Sequence, residues 1–146
     1  MGLDAAVYKR LEELPFTKEE LRFITVDART GQFDFEDPTL FRTWRDRVMA
    51  VSKRIGNVAL VDFLRAEIER VLGPSPRPLL IRRVLYDGTH SGDVIAMEEL
   101  PDLKEEVRLC RESSRRGGSP QLEAFLSDMS ELIAASERHH NPIVFI

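Results

Sequence analysis

The chain has 146 residues, of which 42% are hydrophobic and 32% are charged, and its formal net charge is −4 at pH 7. This size and mixture predict one globular domain over residues 1–146 and exclude a disordered chain, because there is enough apolar surface to build a core. The negative charge argues against nucleic acid as a partner, since such binding needs a basic face. Cys110 is the single cysteine, which excludes an intramolecular disulfide and indicates a reducing compartment.

The sequence also lacks the signals of a membrane or exported protein. No apolar run approaches the ~20 residues that a membrane-spanning helix needs. The first residues lack the basic and apolar regions of a signal peptide. We therefore expect a cytoplasmic protein without a membrane partner.

The first part of the chain predicts strands around one short helix. Residues 3–8 fit either a strand or the start of a helix, and we favour the strand. Thr17 and Glu20 have the spacing of a capping box, which predicts a short helix. Segments 23–28 and 32–36 then form a predicted β-hairpin around a glycine-containing loop, with two phenylalanines of the second segment on one face.

Apolar residues at helical spacing predict two helices in the next part of the chain. Asp37 and the proline after it begin a helix over residues 38–55, whose apolar stripe includes Trp44 and indicates core packing. A second helix follows over residues 58–72, capped by Asn57 and ended by a Gly-Pro pair. Together these two segments predict a helical hairpin.

A proline-rich connector, residues 74–78, leads into an apolar run that predicts a strand over residues 79–86. Residues 94–100 fit either a helix or a strand. A helix beginning at Pro101 follows, and Ser119 caps a longer one.

The apolar segment 142–146 predicts a further strand. Strands and helices come in uneven runs and not as repeated βαβ units, which predicts an α+β fold with a mainly antiparallel sheet of about four to five strands. We expect segments 23–28, 32–36, 79–86 and 142–146 to share this sheet, with the helices largely on one face.

The loop of residues 86–93 contains the densest group of chemically able side chains. Its predicted binding residues are Tyr86, Asp87, Thr89, His90, Ser91 and Asp93. Gly88 and Gly92 allow a positive φ, which predicts a shaped loop at a strand end. The structural alternative is an ordinary turn in which Ser91 or Asp93 caps the next helix.

His90, Ser91 and Asp93 are also the ingredients of a hydrolytic site, in which a base reaches a nucleophile and a carboxylate orients the base. Adjacent side chains diverge, and the Gly-x-Ser-x-Gly spacing of a nucleophile elbow is missing. The sequence therefore favours a site without catalytic residues.

Metal and phosphate binding are further alternatives for the same loop. His90 with Asp87 or Asp93 offers metal-ligating groups, and His139 and His140 are additional candidates, but no pair of histidines has i, i+4 spacing. A phosphate loop needs Lys-Ser/Thr after its second glycine, where this chain has Asp-Val. We expect neither a metal nor a cofactor.

Three segments carry a resemblance to known proteins. They are Met1-Gly2-Leu3-Asp4 with Val7-Tyr8, the block Gly88-Thr89-His90-Ser91-Gly92-Asp93, and Asn141-Pro142-Ile143-Val144-Phe145-Ile146. Together they resemble a set of small bacterial proteins, some of them similar to immunity proteins of toxin–immunity systems. The resemblance implies a cytoplasmic protein that binds and neutralises a toxin, and it supplies no catalytic signature.

These observations favour a non-enzymatic protein-binding module, with acidic surface groups and the loop 86–93 as contacts and a toxin as candidate partner. The alternative function is a small hydrolase or metal-assisted enzyme centred on His90, Ser91 and Asp93, with His139 or His140 brought in by the last strand. A subunit of a homo-oligomer is the third alternative, and it would show a large exposed apolar patch beside a strand edge.

Overall fold

Strands and helices follow one another irregularly along the chain. The computed structural model describes residues 2–73 and 76–146. The strands are β1 (Leu3–Tyr8), β2 (Ile24–Val26), β3 (Phe33–Phe35), β4 (Met49–Gly56), β5 (Val94–Ile95) and β6 (Ile143–Phe145). The α-helices are α1 (Pro38–Trp44), α2 (Val58–Leu72), α3 (Leu100–Ser114) and α4 (Pro120–His139). Shorter segments are the 3₁₀-helices Leu11–Glu13, Glu20–Phe23 and Met97–Glu99 and the π-helix Leu80–Val84.

The main sheet has the strand order β4-β1-β6-β5, and every neighbouring pair is antiparallel. Ala5 of β1 lies opposite Phe145 of β6, and Ile143 of β6 lies opposite Ile95 of β5. Strands β2 and β3 form a separate two-stranded antiparallel sheet. The predicted α+β class and antiparallel pairing are therefore confirmed.

Strand β1 contributes to two apolar cores because its side chains alternate across the sheet. Ala5 and Val7 belong to the larger core, which α2, α3 and α4 complete on one face. Ala6 and Tyr8 belong to a smaller cluster around Trp44, which α1 and β3 complete on the other face. The three long helices thus lie on one face, as predicted, while α1 lies on the opposite one.

The predicted helix over residues 38–55 is wrong beyond its first turns. Helix α1 ends at Trp44, and Met49–Gly56 is strand β4, paired with β1. Val51 and Ile55 fit a helical stripe, but they are β-branched residues that also suit a strand, and pairing with β1 decides between the two. The predicted helical hairpin is therefore also wrong.

The predicted strand over residues 79–86 is also wrong, because this run contains the buried π-helix Leu80–Val84. The Glu106 carboxylate accepts hydrogen bonds from the backbone N–H groups of Leu79 at 2.8 Å and Leu80 at 2.9 Å. These two bonds give partners to N–H donors at the start of the helix, which have none within the helix itself. Periodicity does not separate a short buried helix from a buried strand. Of the four segments predicted to share one sheet, the main sheet contains only the last, with β1, β4 and β5 as its other strands.

Several local predictions are confirmed by hydrogen bonds. Thr17 and Glu20 exchange both bonds of a capping box, at 3.0 and 3.1 Å. Ser119 caps α4 by accepting from the backbone N–H of Leu122 at 3.1 Å. Residues 94–100 contain both the short strand β5 and a 3₁₀-helix. Two residues of the predicted connector, 74 and 75, lie outside the described residues.

Two further features are the buried thiol of Cys110 and the length and polarity of the helices. Cys110 is buried in the larger core, and desolvation, followed by the nearby Glu106 carboxylate, raises the pKa of its thiol to about 12. Within the described ranges, no helix is both long enough and apolar enough to cross a membrane.

Candidate functional site

The loop of residues 86–93 connects the end of the π-helix to β5. Its last residues are fixed to β6, because Gly92 N–H donates to the carbonyl of Phe145 at 2.7 Å and Phe145 N–H donates to the carbonyl of Asp93 at 2.9 Å. On another side, Arg29 Nη2 from the turn between β2 and β3 donates to the carbonyl of Gly92 at 3.0 Å. The loop is therefore held by two sheets.

His90 anchors the loop from the inside. Its residue surface is only 7% exposed, and its ring lies between those of Tyr86 and Phe145, with centroid distances of 4.3 and 4.2 Å. Its Nε2 lies 2.7 Å from the carbonyl oxygen of Val84. Because a carbonyl only accepts hydrogen bonds, Nε2 carries a proton and donates it.

The other ring nitrogen of His90 faces a carboxylate. Nδ1 lies 3.5 Å from Oδ2 of Asp93, which also accepts a hydrogen bond from the Tyr86 hydroxyl. No hydrogen bond joins the two atoms, and Nδ1 is buried without a hydrogen-bond partner among the described residues. The structure thus brings three of the predicted residues, Tyr86, His90 and Asp93, into one cluster.

The other predicted residues lie outside this cluster. Asp87, Thr89 and Ser91 are exposed, and Asp87 Oδ1 accepts a 3.3 Å hydrogen bond from the backbone N–H of Thr89. In the described part of the chain Ser91 forms no side-chain hydrogen bond with His90, so the two are not arranged as nucleophile and base. The predicted helix cap at Ser91 or Asp93 is wrong, because strand β5 follows.

The two glycines of the loop have different roles. Gly92 has a φ of 93°, as a shaped loop requires, whereas Gly88 is not among the residues with positive φ. Gly88 instead packs against the first turn of α2: a Cβ there would lie 2.7 Å from Cγ2 of Val58 and 3.2 Å from its Cα. The prediction of a positive φ at Gly88 is therefore wrong. The close approach of helix α2 explains why this position is a glycine.

The remaining histidines lie at the end of α4. His139 Nδ1 lies 2.8 Å from Oε2 of Glu13, and His140 follows α4 as its C-cap with a φ of 52°. His139 therefore pairs with the 3₁₀-helix that follows β1. Over residues 2–73 and 76–146, no group of three His, Cys, Asp or Glu side chains is placed to bind a metal ion.

Residues from distant parts of the sequence complete the surface around the loop. Val58 is 53% exposed at the start of α2. One turn later, Asp62 pairs with Arg65, whose guanidinium also donates to the carbonyl of Leu85 at 2.6 and 2.8 Å. Sequence reasoning missed these neighbours because nothing in their spacing connects α2 with the loop. We call Val58, Asp62, Tyr86, Asp87, Thr89 and Ser91 the loop surface.

The chain matches no protein-family model, no curated protein and no solved structure. The resemblance to immunity proteins therefore stays a prediction.

Proposed function

We propose that the protein is a non-enzymatic protein-binding module whose contact area is the loop surface. The observation that carries this proposal is the opposite exposure of two stacked rings: His90 is 7% exposed and fixed to Val84, while Tyr86 above it is 40% exposed. A surface fixed from within loses little conformational entropy when it binds. Tyrosine is also enriched among the residues that dominate binding energies.

Charge favours a basic partner. Asp87 carries an exposed carboxylate beside the exposed ring of Tyr86, whereas the carboxylate of Asp62 is paired with Arg65. Mixed acidic and apolar surfaces of this kind accelerate association with basic partners and restrict the choice of partner. The net charge of −4 acts in the same direction.

The resemblance to immunity proteins names a class of partner. We propose that the partner is a toxin, that the protein neutralises it by occupying a basic surface, and that this takes place in the cytoplasm. The buried thiol of Cys110 is compatible with a reducing compartment.

One observation favours the alternative of a small hydrolase, namely the proximity of His90 and Asp93. A general base needs a free nitrogen within reach of its nucleophile. In His90, Nε2 already donates to Val84 and Nδ1 faces the Asp93 carboxylate, while Ser91 lies at the surface. Binding therefore explains more of the arrangement than hydrolysis does.

The test begins by isolating proteins that co-purify with the chain from its source cells, followed by reconstitution with the recombinant candidate. Isothermal calorimetry then compares the wild type with Tyr86→Ala and Asp87→Lys. We expect each substitution to raise Kd by about tenfold or more, which corresponds to about 1.4 kcal/mol. The matched control is Leu109→Ala on α3, a side chain that is 39% exposed and should leave Kd unchanged.

Unchanged Kd values for both loop variants would contradict the proposed contact area. Hydrolytic turnover that is lost in His90→Ala and in Ser91→Ala alike would instead support the enzyme. Circular dichroism of each variant establishes that the fold is retained.

A further inference from the structure

One ring nitrogen of His90 has no hydrogen bond among the described residues, although it is buried. This atom is Nδ1, and the histidine side chain as a whole is only 4% exposed. Buried polar atoms nearly always have a hydrogen-bond partner. An acceptor does lie close by, because Oδ2 of Asp93 is 3.5 Å away. What is missing between these two atoms is therefore a proton.

Both ring nitrogens of His90 face oxygen atoms that accept hydrogen bonds. Nε2 lies 2.7 Å from the carbonyl oxygen of Val84, and this bond uses the one proton of the neutral ring. In neutral His90 the lone pair of Nδ1 then points toward the Asp93 carboxylate, and the two repel each other. In the protonated ring both nitrogens donate. The hydrogen bonding is thus complete only when His90 carries two protons.

Two neighbours of His90 favour a positive charge on its ring. The carboxylate of Asp93 does so as an opposite charge. The ring of Tyr86 is stacked on that of His90, with 4.3 Å between the centroids, and the face of an aromatic ring attracts a cation at this distance. Both neighbours belong to the same loop as His90.

Burial and the surrounding elements oppose that charge. Removal from water disfavours the charged form of a histidine. Three arginines, from the β2–β3 turn, α2 and the π-helix, donate to backbone carbonyls beside the cluster: Arg29 to Gly92, Arg65 to Leu85 and Arg83 to Val94. Carboxylates of Asp62 and Glu99 offset the charges of Arg65 and Arg83. Strand β6 contributes only the apolar ring of Phe145. Histidine is the side chain that ordinarily changes charge between pH 5 and 8.

His90 and Asp93 are held in position by separate elements. Nε2 fixes His90 to Val84 of the π-helix, and the backbone carbonyl of Asp93 accepts from Phe145 N–H of β6 at 2.9 Å. The Asp93 side chain is 51% exposed, so water can deliver a proton to the pair. Its Oδ2 already accepts from the Tyr86 hydroxyl and has a second lone pair. A proton on Nδ1 would therefore connect all three side chains after a small shift of the carboxylate.

We propose that His90 and Asp93 form a proton-operated switch that regulates the loop surface. On acidification Nδ1 takes up a proton from water and donates a hydrogen bond to Oδ2 of Asp93, beneath the ring of Tyr86. At higher pH this bond is absent, and the loop is held less firmly. The loop surface consequently binds its partner more tightly at the lower pH, because less conformational entropy is lost on binding.

This inference rests on the proposed function only for its effect on partner binding. Proton uptake and the change in the loop are properties of the chain alone. The test therefore begins without any partner and adds the partner in its last step.

The first measurement follows the imidazole nitrogens of the full chain by long-range ¹H–¹⁵N NMR from pH 8 to pH 5. His139→Gln and His140→Gln assign the signals of the other two histidines. We expect Nε2 of His90 to stay protonated throughout and Nδ1 to gain its proton within this range. Asp93→Asn should lower the pH midpoint of this step by about 0.5 pH unit or more, because it removes the charge and keeps the size of the side chain.

The matched control is Asp102→Asn, an exposed side chain on α3, which changes the net charge by the same amount. It should leave the midpoint within about 0.2 pH unit of the wild type, because exposed charges at a distance are screened. Backbone ¹⁵N order parameters of residues 87–91 report on the loop. They should rise in the wild type as His90 is protonated and stay level in Asp93→Asn.

The last measurement is calorimetry with the partner at pH 5.5 and pH 8. The increase in Kd toward pH 8 should be about threefold larger in the wild type than in Asp93→Asn. Titration of the partner itself affects both proteins equally, so this comparison removes it.

A His90 with the same number of protons at pH 8 and pH 5 would overturn the switch, and so would an equal midpoint in wild type and Asp93→Asn. Level order parameters, or the same pH dependence of Kd in both proteins, would overturn its regulation of the loop surface. Failure of the proposed function is a different result, because unchanged Kd values in Tyr86→Ala and Asp87→Lys leave the partner-free titration as it is.

Discussion

Gly88 is the residue at which the loop comes closest to helix α2. A Cβ at this position would lie 2.7 Å from Cγ2 and 3.2 Å from Cα of Val58. We therefore expect Gly88→Val to lower the free energy of unfolding by about 1–3 kcal/mol, because the added atoms force the loop and α2 apart. Urea denaturation measures the change.

Two controls identify steric contact as the cause. Val58→Ala in the Gly88→Val background should recover part of the loss, since it removes the nearest atom. Gly92→Ala tests the other glycine, which has a φ of 93° and open space around it, so only backbone strain of about 1–2 kcal/mol is expected there. If Gly88→Val unfolds at the wild-type urea midpoint, the contact with Val58 is not tight.

At the scale of single residues, the sequence predicts the location of the loop better than its internal arrangement. The density of polar groups and glycines indicates a site that includes Tyr86, His90 and Asp93, and the structure brings these three side chains together. The contact of the His90 ring with Phe145 depends on a strand that is far away in the chain, and the contact of Gly88 with α2 depends on a helix that precedes it. Local patterns carry no information about either contact.

Strand β6 is an inner strand of the main sheet, because it lies between β1 and β5. Ile143 is fully buried in it, so Ile143→Asp would place a carboxylate among apolar groups. We expect the free energy of unfolding to fall by more than about 3 kcal/mol in urea denaturation.

The matched control for this prediction is Ile146→Asp, only three residues further along and 37% exposed. That variant should stay close to the wild type, within about 0.5 kcal/mol. A wild-type midpoint for Ile143→Asp would mean that β6 is not part of the buried sheet.

The contribution of the turn between β2 and β3 to the free energy of unfolding should depend on pH, because Asp27 in this turn titrates. Backbone N–H groups of Thr30 and Arg29 donate to its carboxylate and lower its pKa in the folded state. Because the pKa is lower in the folded state, the charged form of Asp27 stabilises the fold at pH values above the unfolded-state pKa of about 3.9. This contribution is lost as the pH falls through the folded-state pKa. We therefore expect the difference in unfolding free energy between the wild type and Asp27→Ala to narrow on acidification from pH 7.

Urea denaturation between pH 7 and pH 2 measures this difference. Asp102→Ala serves as the control for a general effect of removing an exposed carboxylate. A difference between wild type and Asp27→Ala that is the same at every pH would show that the charge of Asp27 does not stabilise the turn.

At the scale of elements, residues that cap helix ends predict the structure more reliably than the spacing of apolar residues does. Asn57 and Ser119 cap α2 and α4 as predicted, because a cap is a local hydrogen bond that the sequence specifies by itself. The apolar spacing predicts the wrong structure for β4 and for the π-helix, because β4 forms by pairing with β1 and the π-helix packs in a core whose other members are distant in the chain. The sequence consequently predicts that the loop follows a strand, whereas in the structure it follows the π-helix.

The whole molecule has two cores that share one strand. Ala5 and Val7 of β1 belong to the larger core, and Ala6 and Tyr8 belong to the cluster around Trp44. Loss of β1 from the sheet would therefore disrupt both cores at once. We expect the two to unfold in a single cooperative transition.

Trp44 makes this expectation measurable, because it is the only tryptophan and lies in the smaller cluster. Its fluorescence and the far-UV circular dichroism of the helices should give the same urea midpoint and the same m-value. A fluorescence midpoint at lower urea would mean that the small sheet and α1 unfold before the larger core.

The position of β6 also determines the order in which the sheet is completed. Ala5 pairs with Phe145, and Val94 pairs with Val144, so β1 and β5 are joined only through residues far beyond them in the chain. On the ribosome, β1 and β4 can pair early, while one edge of β1 stays open until β6 has emerged. Pairing across such sequence distances is slow, so the nascent chain exposes an unpaired strand edge until β6 has been made, and it is most prone to aggregation during that time.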